Sequence, residues 1–256
     1  MRNKIFKIFY IFLVVLFVLS LVQIKKLPDK TKIVTDLLQQ PIQTSTTRLD
    51  FSFPYRGANY HVKPMADYEL WGLVVTQNNI SAWYNYYHDE NTVNLKDVCV
   101  VWGKNIDGGS YNDKNINYSS GEWTCYVNWN GHFQKTFYSN NLSNNHLLTA
   151  DKDIQKLIKN INVGDQIYLK GSLVDYAEAG ESWYRMTSIS RDDENKDSRS
   201  GGACEIFYVD ELKILQKNQV FWHYINDASK KLFVILLLIQ FLLFIRDYRS
   251  NLKNKI

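Results

Sequence analysis

The sequence predicts a mainly β protein: a five-stranded Greek-key barrel with one helix, flanked by two transmembrane helices. An apolar run lies near each end of the 256-residue chain. Between these runs, segments follow one another in the order strand, strand, strand, helix, strand, strand. The first strand and the strand after the helix each contain a glycine, where a sharply coiled barrel strand can bend. Long polar loops leave a β-sandwich as the alternative fold.

The first apolar run predicts an N-terminal transmembrane anchor over residues 1–24. From Ile8 onward its length is close to that of a helix that crosses a bilayer. The alternative is a cleaved signal peptide, which shares the basic start and the apolar run but ends in small residues at the cleavage site. The residues from Ser20 to Gln23 do not follow that pattern, which favours an uncleaved anchor.

The second apolar run, Leu232–Ile245, predicts a transmembrane helix within an interfacial and membrane segment at 217–246. The run is short for a span, but Lys230 and Lys231 can reach the lipid headgroups and extend its effective length. Aromatic residues suited to the membrane interface precede it: Phe221, Trp222 and Tyr224. A buried helix of a soluble domain is the alternative, but such a helix would carry a polar stripe.

The distribution of Lys and Arg predicts the orientation of these spans. Four basic residues follow the second run and two precede it, and the first run has a weaker bias in the same sense. Because this excess marks the cytoplasmic flank, we expect both termini, including the basic tail at 247–256, in the cytoplasm. The middle then lies outside the cytosol, in the periplasm if the membrane is a bacterial inner membrane. The net charge of +4 owes much to the flanks and does not favour nucleic-acid binding.

Between the spans, residues 25–66 predict a connector and residues 67–216 the barrel domain. Four apolar or aromatic segments with strand composition begin the domain, the second as part of a strand or hairpin: 68–78, 80–87, 98–103 and 123–129. A helix follows, capped by Thr149 or Asp151 and apolar at helical spacing. Two further strands complete the domain: 163–176 and 203–215.

The strand after the helix, VGDQIYLKGSLVDY, resembles the fourth strand of bacterial OB-fold proteins. There the pattern G-D-x-h-x-h-x-G, with h apolar, opens the strand that follows the barrel helix. The layout from Tyr68 to Leu215 is similar to OB-like domains of the tRNA-anticodon-binding-like kind, which implies a five-stranded barrel. The patterns CVVWG, WTC, LSNNHLL and GACE also resemble those of uncharacterised membrane-anchored bacterial proteins, and this second resemblance implies no activity.

Aromatic and polar residues supply the candidate ligand-binding set. Aromatic faces in OB folds stack bases, sugars or peptide side chains, although core packing is the alternative. His146 precedes the predicted helix and either caps it or binds a ligand at its positive end, whereas loop arginines are either solvated or bind an anionic group. The candidates are Trp83, Tyr86, Trp102, Trp129, His146, Arg185 and Arg191.

The densest set of potential metal ligands is His88, Asp89 and Glu90. Their spacing matches no strong zinc or calcium pattern, so a solvated loop is favoured and neither a metal nor a cofactor is expected. The alternative is a nuclease-like, metal-assisted hydrolase on an OB barrel that uses His88, Asp89 and His146.

The three cysteines predict one disulfide if the domain lies outside the cytosol. Cys99 and Cys125 lie in the middle of consecutive predicted strands, and opposite residues on paired strands are close enough to be bridged. Cys125–Cys204 is the first alternative, and three reduced thiols are the second. A catalytic thiol is not favoured, because an apolar strand disfavours the thiolate and no activating base is evident.

Together these observations predict a membrane-anchored, non-cytoplasmic OB-like module for binding or assembly. We expect it to recruit a protein partner or an envelope polymer to the membrane. Nucleic acid is not the expected partner, because the predicted location keeps the domain away from it.

Overall fold

The computed structural model of the protein describes residues 2–80, 92–121, 124–131, 136–182, 184–189 and 204–253. The α-helices in these ranges are α1 (Arg2–Gln23), α2 (Gly103–Asp107), α3 (Lys152–Lys159) and α4 (Val220–Lys253). The strands are β1 (Ile42–Thr44), β2 (Phe51–Tyr55), β3 (Ala58–Asn78), β4 (Lys96–Val101), β5 (Ile116–Ser120), β6 (Cys125–Trp129), β7 (Leu142–Leu148), β8 (Gln166–Glu178) and β9 (Cys204–Gln216). They fall into two compact units: residues 1–26 with 219–256, and residues 27–218.

The first unit contains α1 and α4, two helices that are long and apolar enough to cross a membrane. The apolar windows are Phe6–Gln23, with 18 residues, and Val220–Arg246, with 27 residues. Within this unit, Asn226 Nδ2 donates a hydrogen bond of 2.9 Å to Ser20 Oγ, and a polar contact of this kind favours association of apolar helices. Both apolar helices are as the sequence predicts, but α4 also includes the aromatic segment before the second run and the tail up to Lys253.

Five strands of the central unit form a sheet that returns on itself. β3 pairs with β4, β4 with β7, β7 with β9, β9 with β8, and β8 with β3 again. These pairs are antiparallel except for β7–β9, which is parallel. β3 is 21 residues long and also pairs with β1 and β2. The predicted mainly β domain is therefore confirmed.

The third strand of this sheet is not the one that the sequence predicts. Residues 123–129 were expected there, but β6 pairs with β5 in a separate two-stranded sheet, called here the β5–β6 hairpin. The strand that lies between β4 and β9 is β7. The sequence pattern predicts these residues as the segment just before the helix. Six of the seven residues of β7 are buried, so its short polar side chains belong to a covered strand and not to a helix cap.

The strand β4 is buried on both faces, which explains its unbroken apolar run. Successive strand residues point to opposite faces. Val98 and Val100 accordingly join the large apolar cluster of the sheet, whereas Cys99 and Val101 join a second cluster. That second cluster includes Ile106 of α2 and partly buried residues of the β5–β6 hairpin. The hairpin therefore covers the outer face of β4.

The helix α3 lies between β7 and β8, as predicted, and both of its ends are satisfied. The Asp151 carboxylate accepts two backbone N–H groups of the first turn at 2.7 and 3.0 Å, which confirms one of the two predicted caps. At the other end, Lys96 of β4 donates to the carbonyls of Lys159 and Ile161 at 2.7 and 2.9 Å. Burial, together with the charge of Lys217, lowers the pKa of Lys96 to about 8.

The predicted connector, 25–66, is part of the central unit from Leu27 onward. It contains β1, β2 and the start of β3. Alternate residues of β2 and of the start of β3 are buried, and Phe53 and Tyr55 of β2 join the large apolar cluster. The predicted strand or hairpin at 80–87 lies outside the described residues except for Ile80 at its start.

Gly171 is needed where β8 shifts register against β9. A Cβ at this position would lie 2.1 Å from the carbonyl oxygen of Tyr208, which is backbone and cannot turn away. We therefore expect Gly171→Ala to lower the free energy of unfolding by about 3 kcal/mol. The measurement is denaturant unfolding of the full chain in detergent, followed by tryptophan fluorescence.

Gly57→Ala is the matched control for this substitution. Nothing lies within 4 Å of a Cβ at Gly57, so the strain of its φ of +88° is the only cost, about 1 kcal/mol. Equal losses in the two variants would contradict the close approach at Gly171.

Candidate functional site

The candidate site lies on the outer face of β4 and β7, on the side of the β5–β6 hairpin. Asp97 is opposite His146 in the register of these strands, and Cys99 is opposite Asn144. Asn144 is in turn opposite Cys204 of β9. Residues that are opposite on paired strands project from the same face. The fold thus gathers a carboxylate, an imidazole and two sulfur atoms on one surface.

The ion pair at the centre of this site joins His146 and Asp97. Their Nδ1 and Oδ1 atoms are 2.6 Å apart, and the side chains are only 8% and 3% exposed. Burial by itself disfavours the charged imidazole, but the Asp97 charge and hydrogen bond and the contact with Cys204 outweigh it. They raise the pKa of His146 to about 10, so the ring is an imidazolium at neutral pH.

Cys204, the cysteine outside the disulfide, completes a row of three groups. Its side chain hydrogen-bonds the ring of His146, whose other contact is Asp97. The amide Nδ2 of Asn144 and the hydroxyl Oγ1 of Thr124 each lie 3.8 Å from its Sγ. A thiol next to an imidazole that a carboxylate orients is the arrangement of nucleophilic cysteine sites.

The disulfide Cys99–Cys125 fixes the hairpin above this row. Its Cα atoms are 6.1 Å apart, and the predicted pairing is confirmed. The argument for that pairing was wrong, because β6 does not pair with β4. Instead, the hairpin is laid across the sheet, where Ser120 and Thr76 hydroxyls hydrogen-bond at 3.0 Å.

The described members of the predicted ligand-binding set belong to different elements of the fold. Trp102 is fully buried and donates from Nε1 to Gln40 at 2.9 Å, so it packs the core rather than stacking a ligand. Trp129 ends β6 and is 55% exposed. Arg185 pairs through its backbone with Tyr176 at the end of β8. Three predicted binding residues lie outside the described ranges: Trp83, Tyr86 and Arg191.

The structure also corrects the prediction for His146, which was expected before the helix. The residue is in β7, and its ring contacts Asp97 and Cys204. The other proposed ligands, 88–90, lie outside the described residues. Among the described residues, no group of three or more His, Cys, Asp or Glu side chains is arranged to hold a metal ion.

Sequence reasoning missed the roles of Asp97 and Cys204. One signal was present, because Asp97 is two residues from Cys99 in a strand and therefore shares its face. The approach of Cys204 to His146 had no such signal, since it depends on the parallel pairing of β7 with β9.

Comparison with known proteins supplies no relative. No protein-family model matches the chain, and neither a curated protein nor a solved structure is similar enough to count as a match.

The ion pair predicts a pH-dependent stability. The pKa of His146 is raised from about 6.5 in the unfolded chain to about 10 in the fold. Its contribution is therefore fully present below about pH 6.5 and is lost as the pH rises toward 10. We expect His146→Gln to lower the free energy of unfolding by about 3–5 kcal/mol at pH 6, because the substitution leaves Asp97 buried without its counter-charge.

Denaturant unfolding at pH 6 and about pH 9.5 measures this effect, and the gap between wild type and His146→Gln should shrink at the higher pH. The matched control is His61→Gln, at an exposed histidine that contacts Ser52. A gap that stays constant with pH, or that His61→Gln reproduces, would show that the His146 ring is not charged in the fold.

Proposed function

We propose that the protein is a membrane-anchored, extracytoplasmic OB-like module for binding or assembly. It holds a protein partner or an envelope polymer close to the membrane through its central unit. The observation that carries this proposal is the β5–β6 hairpin, which the Cys99–Cys125 disulfide fixes to the sheet and which presents exposed aromatic side chains.

Three features of the central unit support an OB-like barrel. The pairing cycle β3–β4–β7–β9–β8–β3 joins five strands, and one parallel pair occurs between the third and the fifth. The helix α3 comes between the third and the fourth of these strands in the chain. The β5–β6 hairpin is then an insertion between the second and the third strands.

Two observations support the membrane topology with both termini in the cytoplasm. α1 and α4 are long and apolar enough to span a bilayer. At both apolar runs, Lys and Arg are more numerous on the side of the chain terminus than on the side of the central unit. Disulfides persist outside the cytosol, and the Cys99–Cys125 bond fits an extracytoplasmic central unit.

The binding surface follows from the position of the hairpin. OB folds bind oligosaccharides and oligonucleotides on the face of their second and third strands. Here those strands are β4 and β7, and the hairpin covers that face, so the outer side of the hairpin takes its place as the contact surface. Tyr126, on the face of β6 opposite to Cys125, is 52% exposed, and Trp129, at the end of β6, is 55% exposed. Exposed aromatic residues of this kind are typical binding anchors.

A photo-crosslinking amino acid at exposed Asn128, between the two aromatic residues, tests the binding role in cells. We expect one discrete conjugate, which protease digestion assigns to a protein or to a polymer. Replacing Tyr126 and Trp129 together by Ala should abolish it, whereas Tyr184→Ala, at an exposed tyrosine outside the hairpin, should not. A conjugate that survives loss of both hairpin aromatics would contradict the proposed surface.

Reporter fusions test the topology separately. A reporter that is active only outside the cytosol should work when fused after Leu215 and fail when fused after Ile256. The reverse pattern would place the central unit in the cytoplasm and would remove the basis for an extracytoplasmic function.

A further inference from the structure

The site places a third cysteine on the same face of the sheet as Cys99 of the disulfide. Cys99, Asn144 and Cys204 lie in one row across β4, β7 and β9, on the face that the hairpin covers. The hydroxyl oxygen Oγ1 of Thr124, one residue before β6, lies 3.8 Å from the Sγ of Cys204. Thr124 immediately precedes Cys125, so this contact brings the hairpin against Cys204 at the residue next to the disulfide.

The neighbours of Cys204 suit a nucleophilic thiol. His146 hydrogen-bonds Cys204, and the Nδ1 atom of the same ring lies 2.6 Å from Oδ1 of Asp97. A positively charged imidazole stabilises a neighbouring thiolate, which is the species that attacks disulfides. The side chains of Asn144 and Thr124 provide further polar contacts around the sulfur.

We infer that Cys204 is an exchange thiol that attacks the Cys99–Cys125 disulfide at Cys125. The Cys204 thiolate forms a bond to the Sγ of Cys125, and the bond between Cys99 and Cys125 breaks. Cys99 leaves as a thiolate and takes up a proton, so one disulfide replaces another without any net oxidation or reduction. His146 acts as the positioning residue that holds the attacking thiolate.

This exchange would move the covalent attachment of the hairpin from β4 to β9. The hairpin stays tied to the sheet in both states, but Cys99 becomes a thiol beneath it. If the exposed aromatics of the hairpin are the binding surface proposed above, the exchange gives that surface two positions. The chemistry itself does not depend on the binding role, and its test does not use a ligand.

A pair of single-cysteine substitutions tests the inference in the full-length protein. Cys99→Ser leaves Cys125 and Cys204, and incubation with oxidised glutathione should glutathionylate Cys125 and then release glutathione as Cys204 attacks. Mass spectrometry of a non-reduced digest should find the Cys125–Cys204 peptide pair. The matched control, Cys125→Ser, leaves Cys99 and Cys204 and should retain glutathione without forming a bond.

Persistent glutathionylation in Cys99→Ser, or equal cross-linking in both variants, would overturn the inference. The wild-type protein provides a measurement that no substitution can disturb. After incubation, acid quenching and alkylation, its non-reduced digest should contain Cys125–Cys204 in addition to Cys99–Cys125. Cys99–Cys125 alone at every time point would also overturn it.

The role of His146 has its own readout. His146→Gln should slow the appearance of the Cys125–Cys204 peptide by about 10-fold, since the thiolate loses its cationic neighbour. The control His61→Gln should leave the rate unchanged. Equal rates in the two variants would remove His146 from the exchange.

Discussion

The covalent attachment of the β5–β6 hairpin to β4 is the constraint on which the rest of the central unit depends. The Cys99–Cys125 bond joins residues 26 positions apart, and closing a loop of that size stabilises the fold by about 3–4 kcal/mol. With the hairpin in place, β4 has no solvent-exposed face, and each of its residues is buried. The polar residues of β7 are tolerated in the interior because they pair with one another and with β4: Asn145 with Ser143 and the carbonyl of Val98, and His146 with Asp97.

Burial beneath this cover determines the chemistry of the site. Burial disfavours a charged imidazole, but the carboxylate of Asp97 at 2.6 Å outweighs this effect and raises the pKa of His146. Cys204 shares that environment through its contact with His146. The resulting row of carboxylate, imidazole and thiol is one strand away from a disulfide, and this proximity links a structural bond to a reactive group.

Periodic features of the sequence predicted the elements that depend on local pattern. The two apolar helices, α3 with its Asp151 cap, and the strands β8 and β9 follow from apolar runs and spacing. β7 was missed because its residues, LSNNHLL, have neither strand alternation nor an apolar run, and polar residues at a covered position look like a turn or a cap.

The candidate site was less predictable than the fold, because it depends on contacts between strands that are distant in sequence. The Cys99–Cys125 pairing was predicted correctly, but from a strand pairing that the structure does not contain. Contact among Asp97, His146 and Cys204 requires the strand order β4–β7–β9. That order could not be predicted, because β6 had been assigned as the third strand in place of β7. Trp102 was chosen for its chemistry alone, and only packing shows that it lies in the core.

The most direct test of the account is the disulfide state of the protein in its own membrane. Cells are lysed in an alkylating agent, and the purified protein is digested without reduction and analysed by mass spectrometry. The account predicts that Cys99 and Cys125 are joined in most molecules and that Cys204 is alkylated. Alkylation of all three cysteines without prior reduction would contradict both the attached hairpin and the proposed extracytoplasmic location of the central unit.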